Sequence, residues 1–556
     1  AATTVNSLTV GSSTGGTAPT LNFNYDALTA GALTIDVGDL SVHPNAVVTH
    51  TVGTSAVVGT LYFNIQTGGV TVHPNGSIHA NEKGYAGGEG SGQGTDATGS
   101  SGGGYGGTGG SGWTQSTDTP NAGGVTYGSI SAPVDLGSGG GLVSASGKAG
   151  GGAIRITSAG TMTINGTVSV NGGSDQDVNA VSRGGGSGGS LYLNVGTLAG
   201  TGVVTANGGG GNLEGGAGGG GRIALYYTSD SSTLALLGAY GGNEDRSGTT
   251  ATHMVFGGAG TLYKKAASAP NGDLIIDNNY LDPAEDDMFL GKTPLSGTQT
   301  YDTLTIQSRG HLLLNSDSNI SYTTLSWSSS GTIQDNNAAS FALITGGAEL
   351  TVPATARYYA HTARTFTTGS VTGMITHGAN YSTADRRINL TFSTLTIEPE
   401  GSINVNEKGF YQGEGPGEGT NGANGPTGGG YGGYSGSGVS SSHVPIPGSI
   451  TYGDFTAPTD LGSGGGISSS GIIGSDGGGA VQVTVTGTLT VNGSVTANGE
   501  TLIDTSSSSR SGGSGGSVYL NAGTLAGTGS ITANGGAGNV DGSGGGGGRI
   551  ALYYTT

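Results

Sequence analysis

Apolar and polar residues alternate in short runs along most of the chain, and the runs recur. "TMTINGTVSVNG" from Thr161, "TLAGTGVVTANG" from Thr197, "TLTVNGSVTANG" from Thr488 and "TLAGTGSITANG" from Thr524 are versions of one pattern, with variants from Val70, Leu304 and Leu395. Period-two alternation predicts half-buried strands. Asn-Gly between two such runs ordinarily announces a two-residue hairpin, but parity argues against it. A hairpin at Asn165-Gly166 would pair Ile164 with Thr167 and Met162 with Ser169, turning Val168 and Val170 to the opposite side of the sheet. Met162, Ile164, Val168 and Val170 instead share parity, as do Leu489, Val491, Val495 and Ala497, and Leu395, Ile397, Ile403 and Val405. Such a chain turns corners while keeping one face inward. The predicted fold class is all-β, a parallel β-solenoid (β-helix).

A second family of strands precedes these motifs. "LYFNI" from Leu61, "AIRIT" from Ala153, "SLYLNV" from Ser190 and "GRIALYY" from Gly221 are matched by "INLTF" from Ile388, "AVQVTV" from Ala480, "SVYLNA" from Ser517 and "GRIALYY" from Gly548. Successive coils start 37 residues apart in both copies, at 153 and 190 and again at 480 and 517. Between coils lie glycine-rich excursions, which this spacing puts at the same corner each time. They are predicted to stack beside one another.

Glycine supplies 120 of 556 residues, against about 7% in ordinary domains. Composition alone reads "NEKGYAGGEGSGQGTDATGSSGGGYGGTGGSG" from Asn81 as a flexible linker. Its return as "NEKGFYQGEGPGEGTNGANGPTGGGYGGYSGSG" from Asn406, in the same order, argues for structure. Tracts with few side chains to bury need backbone partners. Polyglycine-II-like helices packed against their neighbours would supply them, through the close approach that collagen also draws from glycine. The same frame divides the chain into a first, truncated repeat unit, 1–229, ending "GGGGRIALYYTS", and a second, full unit, 230–556, ending "GGGGRIALYYTT", continuing one solenoid.

Charge removes several partners. Thirty-six acidic and 17 basic residues give a formal charge of −19 without any basic run, so no nucleic acid partner and no anionic lipid surface is expected. Nor is membrane insertion, since no apolar stretch approaches the ~18 residues that a spanning helix needs. The opening "AATTVNS" reads as the start of a mature or excerpted chain. The absence of cysteine removes disulfides and thiolate metal sites and suits a bacterial exported protein.

Rungs such as "GTLTVNGSVTANGE" and blocks such as "GGSLYLNVGTLAGTG" and "GGGGRIALYY", which together span about half the chain, resemble secreted bacterial right-handed β-helix proteins. That group includes filamentous-haemagglutinin-like adhesins and large glycine-rich surface repeat proteins. The resemblance implies an extracellular or cell-surface location, and adhesion or fibre building. The excursions look more like the glycine-rich domain of a receptor tyrosine kinase ectodomain, or glycine-rich antifreeze proteins, where such helices pack in arrays.

No active site is read in the sequence. The β-helix lyases and hydrolases need carboxylates converging on a groove, and the one dense acidic cluster is "YLDPAEDDMF". Asp282, Glu285, Asp286 and Asp287 offer hard oxygen ligands for calcium, or simply form a solvated turn after Pro283. Calcium is thus the one cofactor considered, and otherwise none is expected. Glu82-Lys83 and Glu407-Lys408 recur where the long excursions depart and read as corner ion pairs; Arg222 and Arg549 read as donors to freed carbonyls. The nine histidines form no zinc motif. Outward threonine rows such as Thr161/Thr163 and Thr488/Thr490 suggest ice binding only if they form a flat array.

Two functions follow: a structural subunit of an extracellular filament, sheath or surface fibre, or a surface adhesin segment binding glycans or other cells. The fibre reading names an assembly interface. Writing "AATTVNSLTVGS" after "IALYYTT" completes a coil with Leu8 and Val10, so the expected partner is a second copy, head to tail, through Leu8 and Val10 on one side and Ile550, Leu552, Tyr553 and Tyr554 on the other.

Overall fold

The computed structural model describes the chain except for residues 1–4, 14–17, 24–32, 52–58, 98, 115–118, 143–146, 176–181, 213–214, 244–255, 280–290, 329, 337–339, 342–348, 381–382, 423–424, 440–441, 443, 468–473, 502–508 and 540. The described residues are all-β, contain no helix, and form mostly parallel sheets. They divide into two compact units, one made chiefly of residues 1–295 and 299–313, the other chiefly of residues 328–556. The repeat boundary at Ser229 therefore lies inside unit 1, where the strand Arg222–Asp230 pairs with Thr261–Ala266.

In unit 1 the first sheet runs in the order Val5–Val10, Leu33–Val42, Thr60–Ile65, Ala153–Ile164, Ser190–Ala199, Arg222–Asp230, Thr261–Ala266, Asp273–Asp277, Thr298–Gln307. Its pairings are parallel except that Thr261–Ala266 meets Asp273–Asp277 antiparallel. A second sheet runs Leu236–Gly238, Val203–Thr205, Thr167–Ser169, Ser77–His79, Val47–His50, Thr20–Phe23. The 37-residue spacing is the register itself: Ala153 stands opposite Ser190.

The corner at Asn165-Gly166 works as parity demands. Ala153–Ile164 belongs to the first sheet and Thr167–Ser169 to the second, and Met162, Ile164, Val168 and Val170 are all fully buried. Like meets like from strand to strand. Leu61, Ile154, Leu191, Ile223 and Leu262 form one inward row, and Val48, Ile78, Val168, Val204 and Leu237 another. Each such side chain contributes about 1.5–3 kcal/mol, and a slip of one residue would turn a whole row outward.

Unit 2 repeats the arrangement. One parallel sheet runs Glu349–Val352, Arg364–Val371, Ile388–Ile397, Ala480–Val491, Ser517–Ala526, Arg549–Tyr554. The other includes Thr332–Asp335, Arg357–Ala360, Met374–Thr376, Ser402–Asn404, Ser494–Thr496 and Ser530–Thr532. Ala480 stands opposite Ser517 in the register that Ala153 and Ser190 adopt.

Candidate functional site: the glycine tracts and the sheet edge beside them

The glycine tracts are held by backbone hydrogen bonds, and the pattern has a period of three. Gly102, Gly103 and Gly104 donate to the carbonyls of Gly110, Gly185 and Gly92, three different segments. Gly218, Gly219 and Gly220 donate likewise to Gly209, Gly103 and Gly258. In unit 2, Gly428 donates to the Ser543 hydroxyl at 2.7 Å, Gly429 to Gly512 and Gly430 to Gly417. A tract that sends successive N–H groups to different neighbours pairs its backbone without a sheet. Close approach leaves no room for side chains. A Cβ built on Gly104 would overlap the Gly124 carbonyl, and one on Gly430 the carbonyl of Ile450.

The preserved order within each long excursion is explained by side chains that tie it to the strands. Glu82 and Glu407 sit at the departure point with φ of 57° and 60°, a left-handed turn that non-glycine residues rarely adopt. The following Gly84 and Gly409 donate to Gly150 and Gly477. Tyr105 is fully buried, and its hydroxyl meets Ser190 Oγ at 2.6 Å. Tyr127 packs against it with ring centroids 4.7 Å apart, and its hydroxyl donates to the Leu136 carbonyl. Tyr431 and Tyr452 repeat the pair at 4.8 Å.

Arg222 closes this cluster. It is 4% exposed, lies over the Tyr105 ring at 5.4 Å, and donates to the Tyr127 carbonyl at 2.9 Å and to Thr261 Oγ1 at 3.1 Å. Arg549 lies over Tyr431 at the same distance and donates to the Tyr452 carbonyl. Both are donors to carbonyls of the excursion, as their position after the glycine runs suggests. Burial pushes the Arg222 guanidinium below its usual range and the Tyr105 and Tyr127 phenols above theirs.

A buried histidine stands at the entrance of each array, and the sequence motifs did not single it out. His377 accepts from the Ala480 N–H through Nε2 at 3.1 Å and places Nδ1 2.7 Å from the Gly378 carbonyl, which fixes it as the neutral Nδ1–H tautomer. His50 places Nδ1 2.6 Å from the Thr51 carbonyl, with the Gly152 backbone against its ring. Burial lowers them to about 3 and about 4, respectively. The missed signal was their spacing: 50 and 377 are 327 apart, as are Arg222 and Arg549.

The structure places the proposed assembly residues unequally. Leu8 and Val10 pair with Leu40 and Val42 and pack into the unit 1 core. Ile550, Leu552, Tyr553 and Tyr554 lie on the last strand of the unit 2 sheet and are 42%, 40%, 44% and 62% exposed. Asp282, Glu285, Asp286 and Asp287 lie outside the described residues. Among the described residues, no group of three or more His, Asp or Glu side chains is arranged to hold a metal ion. Comparison with protein-family models, with curated proteins and with solved structures found no match to this chain.

Proposed function

We propose that this chain is a structural subunit of an extracellular bacterial filament, sheath or surface fibre, built as a β-helix whose polyglycine-II-like excursions pack along one corner. Growth is by addition of one more coil at the Arg549–Tyr554 edge, and the coil is supplied by a second copy of the chain.

The observation that carries this reading is one sequence block in two settings. In "GGGGRIALYY" of unit 1, Ile223 and Leu225 are 0% and 1% exposed, because Thr261–Ala266 pairs along the outer edge of Arg222–Asp230. In unit 2 the equivalent Ile550 and Leu552 are 42% and 40% exposed. The glycines beside them follow suit: a Cβ on Gly220 would meet the Ala239 carbonyl, whereas Gly547 has nothing within 4 Å. An edge with unpaired backbone groups and an exposed apolar row is a template for strand addition. A contact of this kind is heterologous and does not close, so it propagates.

Analytical sedimentation with negative-stain imaging tests this. The intact chain should form unbranched polymers, and Leu552→Lys should shorten them without changing the melting temperature by more than a few degrees. A monomer at every concentration, or polymers unaffected by Leu552→Lys, would overturn the proposal.

A further inference from the structure

The two most exposed large apolar side chains among the described residues are Phe455, at 74%, and Tyr434, at 72%. Both belong to the long excursion of unit 2, and both lie beside its last strand. Tyr434 follows Gly433, whose N–H donates at 2.9 Å to the carbonyl of Gly547, just ahead of Arg549–Tyr554. Phe455 precedes Thr456, whose carbonyl accepts from the Tyr553 hydroxyl at 2.9 Å. Tyr554, on the same strand, is third at 62%. Apolar surface gathered in this way marks a contact site.

The fold of the excursion does not call for these rings, because unit 1 does without both. "GGGYGGT" against "GGGYGGY" puts Thr108 at the place of Tyr434, and "TYGSI" against "TYGDF" puts Ile130 at the place of Phe455. Tyr226 donates to the Ser131 carbonyl at 2.8 Å as Tyr553 does to Thr456, so the two frames coincide. Thr108 and Ile130 are half-buried. Thr108 is also bonded to the chain beyond: its N–H donates to the Lys292 carbonyl at 2.8 Å, its Oγ1 accepts from the Lys292 N–H at 2.8 Å, and its carbonyl accepts from the Gly258 N–H at 2.9 Å. A phenol cannot repeat the short Oγ1 contact. Where the array continues, these positions are small or aliphatic; where it is open, they are aromatic.

We infer that Tyr434 and Phe455 are the anchors by which a second copy is held, so that the head-to-tail contact extends from the strand edge onto the rim of the glycine array. The inference rests on the fibre reading and adds the residues that hold the contact. Its occupant follows from unit 1, where the chain that covers the strand also covers the excursion beside it: Thr261–Ala266 pairs with Arg222–Asp230 while Gly258 and Lys292 bond Thr108. A copy that adds a coil to Arg549–Tyr554 comes up against Tyr434 and Phe455 in the same way. Aromatic rings suit the task, since each offers a large contact area with only two torsions to fix. A strand edge supplies backbone bonds that any strand can satisfy; the rings make the contact selective, as anchors at an interface core do.

Sedimentation velocity on the full chain tests this, with the concentration at which polymers appear as the readout. Tyr434→Thr, the residue unit 1 carries, and Phe455→Ser should each raise that concentration at least about tenfold. Neither should move the melting temperature, since both side chains are exposed in the free chain. Val125→Ser removes another exposed apolar side chain, 61% exposed, from the unit 1 excursion and should change nothing. Polymers that appear at the unchanged concentration with either aromatic variant would overturn the inference and leave the fibre reading standing. An equal effect of Val125→Ser would do the same, because it marks general stickiness rather than anchoring. A chain that stays monomeric at every concentration would overturn both.

Discussion

His50 and His377 hold their places only as neutral imidazoles. Their folded values of about 4 and about 3 lie below the ordinary 6.5, so the unfolded chain takes up protons first as pH falls. The stability they contribute is complete above about 6.5 and is lost progressively as pH drops toward 4 and then 3, by roughly 3 kcal/mol for His50 and more for His377. Melting temperature should therefore fall between pH 6.5 and pH 4, and His377→Gln, which keeps an acceptor near Ala480, should flatten part of that fall. An identical pH profile for the variant would refute the assignment. Arg222 makes a second residue-scale prediction. Lysine cannot serve the Tyr127 carbonyl and Thr261 together, so Arg222→Lys should cost about 1–3 kcal/mol; unchanged melting would count against the cluster.

At the scale of the element, strands, corners and the stacking of the glycine tracts were legible in the sequence, and the partner of each glycine N–H was not. Parity across Asn165-Gly166 is a property of side chains, and side chains are what a sequence displays. The donation of Gly102, Gly103 and Gly104 to three different neighbours is a property of the backbone, which looks the same in every glycine run; the coil spacing and the returned order of "NEKG" and "GGGYGG" point to stacking but not to which carbonyl each N–H meets. The antiparallel turn-back between Thr261–Ala266 and Asp273–Asp277 interrupts the repeat at Pro270-Asn271-Gly272, a turn signal that the alternating strands on either side obscure. Close packing of the tracts predicts that Gly104→Val and Gly430→Val each lower the melting temperature clearly, since a Cβ meets backbone carbonyls that cannot retreat. Ser91→Ala, at an exposed position, should be nearly silent. Equal melting of the three variants would contradict the packing.

At the scale of the whole molecule, side chains and backbone divide the work. Apolar rows hold the sheets, and the glycine tracts, with little to bury, depend on hydrogen bonds between backbones for the ordering entropy of some of the most flexible residues in the chain. If those bonds persist in solution, the tracts form a rigid flank beside each sheet, as a fibre subunit needs; if they do not, the excursions are loops and the fibre reading loses its support. Hydrogen exchange with mass spectrometry on the native chain measures this directly. The account predicts that peptides covering residues 102–112 and 428–433 exchange as slowly as the strands Ala153–Ile164 and Ala480–Val491, with protection of the order of global stability. Exchange of those glycine peptides at the rate of an unstructured chain, while the strands stay protected, would contradict it.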